Sequence, residues 1–343
     1  MELNRDMRFD ELPAIGQVQQ CASNSDDIEH LYRPTLYPAL DPARPKVDRT
    51  LATTATAGGS NAQIVAVQSF RGGTGKSTLV SNLAVLMAQQ GKRVGIIDTD
   101  LQSPGMQMLL GLEQKSIDLT LNDYLWHRCA LNQAAYDLSD LLLAQADLST
   151  PGALYLIPAS VKANDLTILQ KGYSQARLLE GFTEITHDLQ LDFLFVDTHS
   201  GINPATLKTI AACSSLVVLL RPDDRDDPGT IALVELFREL SVDRMLLVAN
   251  KALPKLDVET YTQQLETSYD LPVAAVLPFS VKMMQLASNQ VFSLRYPDHP
   301  LTQAIAQISD LIVCGDFSPQ IGNTTRNFKD CYVTKVATYN PSG

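Results

Sequence analysis

The segment Ser69–Leu79 reads SFRGGTGKSTL, and it joins two runs of different period. Before it, QIVAVQSF is apolar and β-branched, as in a buried strand. After it, KSTLVSNLAVLMAQQGK has helical spacing and a stop at Gly91. A glycine-rich loop between a strand and a helix suits phosphate. Small residues let the anion approach, backbone N–H groups point inward, and a helix N-terminus lies behind them. The usual pattern is G-x-x-x-x-G-K-[ST]. This loop departs from it at one position, where Phe70 replaces the first glycine, and it carries a Gly72–Gly73 pair preceded by Arg71. On this chemistry Gly72, Gly73, Thr74, Gly75, Lys76, Ser77 and Thr78 form the cradle. Lys76 neutralises the β- and γ-phosphates, and the Ser77 hydroxyl is placed to ligand Mg²⁺.

The rest of the chain alternates in the same way. RVGIIDTD, GALYLIPAS, LDFLFVD, SSLVVLLRP, RMLLVANK and VAAVLPFS read as strands. Helical stretches separate them, among them Ser174–Leu189, Thr230–Leu240 and Val258–Tyr269. Continuous apolar strands alternating with helices predict an α/β fold of the P-loop NTPase type. This is a doubly wound, mostly parallel sheet with helices on both faces and its site at the carboxyl ends of the strands. Residues 117–150, which include the only tryptophan, Trp126, read as helical. Leu301–Val313 is apolar on one side and polar on the other, which predicts a helix packed on the core.

Composition sets the expected boundaries. Residues 1–62 are proline-punctuated (YRPTLYPALDPARPK) and then small and polar (TLATTATAGGSNA), which reads as a flexible arm and linker with a short helix at Asp26–Tyr32. Residues 63–315 form the nucleotide domain, and residues 316–343 a loose tail. The formal charge of −11 disfavours non-specific DNA binding, although a local basic patch is compatible with it. The five cysteines are scattered and never spaced C-x-x-C, so neither a disulfide framework nor a zinc site is expected. No signal-peptide layout or membrane-length apolar run is present, and a cytoplasmic location is expected.

A nucleotide-bound Mg²⁺ calls for carboxylates at neighbouring strand ends. GIIDTD supplies Asp98 and Asp100, and FLFVDTHSG supplies Asp197 after a buried run. The base is addressed by VANKAL. It has Asn250 and Lys251, but Leu253 stands where the guanine-reading N-K-x-D pattern needs aspartate. That favours adenine, with the Asn250 amide as its reader or, alternatively, as a turn cap.

The glycine pair, the missing first glycine, the D-x-D after the second strand and the late stretch VLPFSVKMMQLASNQ together resemble the MinD/ParA ATPases. These form the deviant Walker A branch, whose loop reads K-G-G-x-G-K-[ST]. The resemblance covers Gln63–Val313 and is nearest to MinD-like members. It implies ATP and Mg²⁺ as ligands, slow hydrolysis, and an ATP-dependent homodimer that answers to a protein partner or activator. By the resemblance, Asp100 orients the attacking water, Asp98 and Asp197 hold Mg²⁺ largely through water, and Asn250 and Pro278 lie at the base. Asp197–Gly201 (DTHSG) is the second switch. The family's signature lysine, which reaches the partner's phosphates across the dimer, is replaced here by Arg71. Arginine keeps the charge but presents a planar fork, which makes a finger on the partner's nucleotide or a bar to tight closure.

The chain lacks the basic amphipathic C-terminal helix of MinD, and its RPDDRDDPG segment is an acidic loop, read as a partner contact or a solvated turn. The implied role is positioning, partitioning or regulation inside the cell. Two alternatives stay open. One is an ATP-binding regulatory module with little hydrolysis. The other is a bacterial-type tyrosine kinase, whose usual tyrosine-rich tail is reduced here to Tyr332 and Tyr339. Removal of residues 1–50 is expected to leave ATP affinity unchanged in calorimetry, because their composition supplies little core.

Overall fold

Each apolar run of the sequence becomes a strand buried on both faces. The computed structural model describes residues 62–145, 152–169, 172–222, 227–242, 244–286, 290–315 and 317. The expected arm with its short helix, the tail (Tyr332 and Tyr339 included) apart from Phe317, residues 223–226 of the acidic loop and most of ASNQ lie outside the described residues. The strands are β1 (Gln63–Gln68), β2 (Arg93–Asp98), β3 (Tyr136–Asp137), β4 (Ala153–Ile157), β5 (Phe193–Asp197), β6 (Ser215–Leu220), β7 (Met245–Ala252) and β8 (Val273–Pro278). They form one sheet in the order β3-β4-β2-β5-β1-β6-β7-β8. Every pairing is parallel except that of the short edge strand β3 with β4. The strands show no in–out alternation because helices cover both faces.

The helices are α1 (Lys76–Gln89), α2 (Met106–Leu109), α3 (Leu121–Leu125), α4 (Ala163–Leu169), α5 (Gln175–Asp188), α6 (Pro204–Ala211), α7 (Asp227–Glu239), α8 (Val258–Tyr269), α9 (Val281–Gln285), α10 (Phe292–Arg295) and α11 (Pro300–Cys314). On one face, Leu178, Phe182 and Ile185 of α5 pack on Leu194 and Val196. Further along that face, Leu233 and Phe237 of α7 and Leu265 of α8 pack on Val218 and Leu247. The opposite face carries α1, α10 and α11, with Leu83, Phe292 and Ile308 fully buried. The amphipathic segment read at Leu301–Val313 is therefore the core-packed helix α11, burying Leu301, Ile305, Ile308 and Ile312.

Residues 117–145 depart from the helical expectation. They form the five-residue helix α3, two 3-10 turns (Leu131–Ala134 and Ser139–Gln145) and β3. Asp123 accepts a bond from the Thr120 N–H and fixes the start of α3, while His127, at φ 59°, breaks the chain just past its end. Local polar bonds have overridden an apolar pattern that is helical in period. Among the described residues no helix is long and apolar enough to cross a membrane.

The chain runs from β1 outward through β2, β3 and β4, returns to β5 beside β1, and then fills the other half of the sheet. The loops after β1, β2 and β5 therefore meet at one central crevice, the usual place for a ligand in such sheets. Asn82 fixes the base of α1 at this crevice. Its Nδ2 donates to the Thr78 carbonyl at 2.7 Å, and its Oδ1 accepts from the Ser293 N–H at 2.7 Å. Asn82→Ala strands that buried N–H and should lower the unfolding free energy by about 1–3 kcal/mol in urea titrations.

Candidate nucleotide site

The loop after β1 holds its shape through two left-handed glycines, Gly73 (φ 72°) and Gly75 (φ 105°). At Gly75 a Cβ would also stand 2.6 Å from Asn250 Nδ2, so only glycine fits. No side chain caps the start of α1, so its first backbone N–H groups face the crevice as anion donors. Phe70 does not enter the cradle. Its ring lies against Gly229 in the first turn of α7, where a Cβ would come within 2.1 Å of it.

Lys76 is buried, with its Nζ 3.4 Å from Ser69 Oγ. Burial lowers its pKa, opposed by the charges of Asp197 and Asp100. Asp98 and Asp197 are registered neighbours at the ends of β2 and β5, and both are buried. Burial and the Asp197 charge push the Asp98 carboxyl well up. Burial likewise pushes Asp197 up to about 6, against the opposing pull of the Ser77 hydrogen bond and of Lys76.

The two carboxylates are bonded differently. Asp98 Oδ1 accepts from the Asp100 N–H (3.1 Å), and its Oδ2 from the Gly105 and Met106 N–H groups (3.2 and 3.3 Å). It fixes the turn into α2, which leaves it to act on a cation by charge or through water. Asp197 meets Ser77, but its Oδ1 is buried with no hydrogen-bond partner. An orphaned carboxylate oxygen beside a serine hydroxyl and a phosphate loop suits hydrated Mg²⁺, which takes few protein ligands and keeps several waters. Ser77 and Asp197 therefore fit the metal position expected of them.

Asp100 stands over the same crevice, close enough for its charge to act on Lys76, Asp98 and Asp197. Its Oδ1 accepts from the Ser103 N–H at 3.0 Å and faces His199 Nδ1 at 2.8 Å. His199 was not singled out from the sequence, although a histidine inside DTHSG was the visible signal. Gln68 was also missed. At the buried end of β1 it reads as strand, yet its side chain donates to the Gly201 carbonyl (2.8 Å) and accepts from the Ser69 N–H (3.0 Å). Thr198 Oγ1 lies 2.6 Å from the Val67 carbonyl and 2.7 Å from Gln68 Oε1. Gly201, at φ 84°, donates its N–H to the Ser69 carbonyl at 2.9 Å. The 197–201 segment is thus pinned to the strand that launches the phosphate loop.

Asn250 and Lys251 grip the loop from the other side. Asn250 Nδ2 donates to the Thr74 carbonyl (2.8 Å), and its Oδ1 accepts from the Lys251 N–H (2.9 Å). Lys251, left-handed at φ 64°, donates its Nζ to the Gly73 carbonyl at 2.6 Å. Burial and the charge of Arg221 lower the Lys251 pKa. Asn250 is therefore a loop-holding residue first, with one amide N–H left for a base. Beside it opens a cavity of about 290 Å³ lined by Gly75, Thr78, Asn250, Pro278, Phe279 and Met283, among others. Leu253 is exposed and lies outside this lining. Arg71 is half-buried, just before the exposed Gly72–Gly73 pair.

Residues 60–313 match the family model described as "ParA: NUBPL iron-transfer P-loop NTPase". The chain belongs to this family. An uncharacterized ATP-binding protein of Methanocaldococcus jannaschii is similar to it, 26% identical over 77% of this chain and 92% of its own length. The antiactivator FleN of Pseudomonas aeruginosa is 30% identical over 55% of this chain and 62% of its own length. Among solved structures, the septum site-determining protein MinD of Pyrococcus horikoshii, complexed with Mg-ADP, shares the fold. Its TM-score is 0.60 at 18% identity, over 76% of this chain and 100% of its own. The ParA-family assignment agrees with the expected fold, a doubly wound, mostly parallel sheet with a deviant phosphate loop, to which the structure adds the short edge strand β3.

The raised pKa of Asp197 has a stability consequence. Its folded value of about 6 lies above its ordinary 3.8, so in that window the folded form binds more protons than the unfolded one. The contribution is complete below about pH 4 and is lost as pH rises towards about 6. Asp197→Asn should therefore stabilise the nucleotide-free protein relative to wild type, by an increment that grows from about pH 4 to about pH 6 in urea unfolding.

Proposed function

We propose that this ParA-family protein is an Mg²⁺-dependent ATPase of slow turnover, in which ATP closes a homodimer that regulates or positions another component. The observation that carries the reading is the orphaned Asp197 Oδ1 beside Ser77 and Lys76, at the uncapped start of α1. The antiactivator function named for FleN and the Mg-ADP complex of the P. horikoshii protein support it.

In this reading, Lys76 and the first N–H groups of α1 bind the phosphates. Ser77 and Asp197 hold Mg²⁺, with Asp98 contributing charge from behind; the ion neutralises charge on the phosphate oxygens. Asp100 orients the attacking water through its Oδ2, to which no group donates among the described residues. Asn250, Thr78 and Pro278 border the base cavity. Arg71 meets the partner's triphosphate, whose dense charge offsets the cost of desolvating the guanidinium. The matched family model is described by iron transfer, but no two cysteines of this chain are spaced C-x-x-C to hold a cluster by paired thiolates, which favours the switch over a cluster carrier.

The protein should bind Mg-ATP in preference to Mg-GTP by calorimetry, and Lys76→Ala should abolish both; equal affinities would remove the adenine assignment. Asp100→Ala should keep ATP but hydrolyse it about a hundredfold more slowly. In light scattering after gel filtration, ATP with Asp100→Ala should give a dimer and ADP a monomer. Arg71→Ala should block the dimer at unchanged ATP affinity, and Arg71→Lys should retain it. An Arg71→Ala protein that still dimerises would favour a binding module whose arginine plays no part across subunits.

A further inference from the structure

Asp100 is held on one oxygen only. Oδ1 accepts from the Ser103 N–H at 3.0 Å and lies 2.8 Å from His199 Nδ1, while among the described residues no group donates to Oδ2. Opposite a carboxylate oxygen, the imidazole Nδ1 must carry the proton, so His199 is the donor in this pair. The two residues come from different strands. Asp100 follows β2, and His199 lies two residues past the end of β5. Both side chains are partly screened from solvent, at 17% and 33% exposure.

His199 does not sit on a free loop. On either side of it, Thr198 bonds the end of β1, and Gly201 exchanges bonds with Gln68 and Ser69 through its carbonyl and N–H. The imidazole is therefore carried by a segment tied to the root of the phosphate loop. A displacement of that segment withdraws this donor from Asp100 and leaves its Oδ1 held by the Ser103 N–H alone.

We propose that His199 is a positioning residue for hydrolysis: its imidazole fixes the Asp100 carboxylate, so that the water-facing oxygen is set by the conformation of residues 197–201. This rests on the ATPase reading above. The pair makes hydrolysis depend on the segment's position without placing the histidine in contact with the nucleotide. Ground-state binding belongs to the loop and to Lys76, so losing the histidine affects turnover rather than affinity.

The test is steady-state ATP hydrolysis by the full chain with Mg²⁺. His199→Ala should lower kcat by about 10- to 100-fold, the cost of a mis-set catalytic group. KM and the calorimetric ATP affinity should stay within about twofold of wild type. His199→Asn should recover most of kcat, because its Nδ2 sits where the imidazole Nδ1 does. In the Asp100→Ala background, His199→Ala should cost nothing further, since the histidine acts only through that carboxylate. An unchanged kcat in His199→Ala, an equal further loss without Asp100, or no recovery with asparagine overturns the proposal. A wild-type protein that binds ATP without turnover overturns the ATPase reading instead. Imidazole ¹⁵N shifts then decide the contact: the Nδ1–H tautomer in wild type, lost in Asp100→Ala, upholds it, and the same tautomer in both overturns it.

Discussion

Two carboxylates buried side by side are an unfavourable arrangement, and the crevice is organised around one such pair. Asp98 and Asp197 occupy registered positions on adjacent parallel strands, so the sheet itself brings them together. Neither can turn to water, and burial pushes both pKa values upward. The fold partly offsets this at Asp98, which accepts from three backbone N–H groups at the entry to α2. The other is left with Ser77, the attraction of Lys76 and an unpartnered oxygen. The site is therefore unfinished in the chain alone, and a cation brought with a nucleotide is the natural completion. Lys76 is the counterpart on the cationic side, since burial works against its charge while Asp197 and Asp100 sustain it. The carboxylates destabilise one another's charge and only Lys76 offsets them, and such mutual perturbation of buried titratable groups is a usual mark of a functional site.

Much of this was legible because strand–loop–helix order is written in local pattern. Lys76, Ser77, Asp98, Asp100 and Asp197 each follow an apolar run or open a helical one, and each lies at the crevice. The parallel sheet was equally legible, because strands covered on both faces lose their alternation. What escaped was set by long-range bonds. Gln68 reads as the last residue of a strand, and only the fold reveals that it bonds a carbonyl 133 residues away. Asn250 reads as a base reader because its motif does so elsewhere, whereas here its amide first grips a loop 176 residues distant. His199 carries no periodic signal, and its partner Asp100 comes from another strand end. Residues 117–145 escaped for the opposite reason, since purely local polar bonds cut short a pattern that is helical in period.

The phosphate loop is gripped from several directions at once. Gln68 and Ser69 tie its root to Gly201, Asn250 and Lys251 hold the Thr74 and Gly73 carbonyls, and Asn82 ties the first turn of α1 to α10. Such bracing suits a site whose catalysis is mainly positioning, because donors fixed in advance need no reorganisation when charge develops. It also makes the 197–201 segment part of the loop's support rather than a separate flap.

Phe70 extends the same logic to α7. In the common pattern the first position is glycine, which leaves the loop's edge bare. Here an aromatic ring leaves the cradle and lies on Gly229, which must be glycine because any side chain would occupy the ring's space. The Phe70 carbonyl lies 3.6 Å from where a Cβ at Gly201 would stand, so Phe70 borders the 197–201 segment as well as the first turn of α7. Closely packed contacts of this kind transmit displacement rather than absorb it. The first turn of α7, at Gly229, is therefore packed against the nucleotide loop through the Phe70 ring. The substitution that makes the motif look defective in the sequence is the one that adds a contact from the loop to α7.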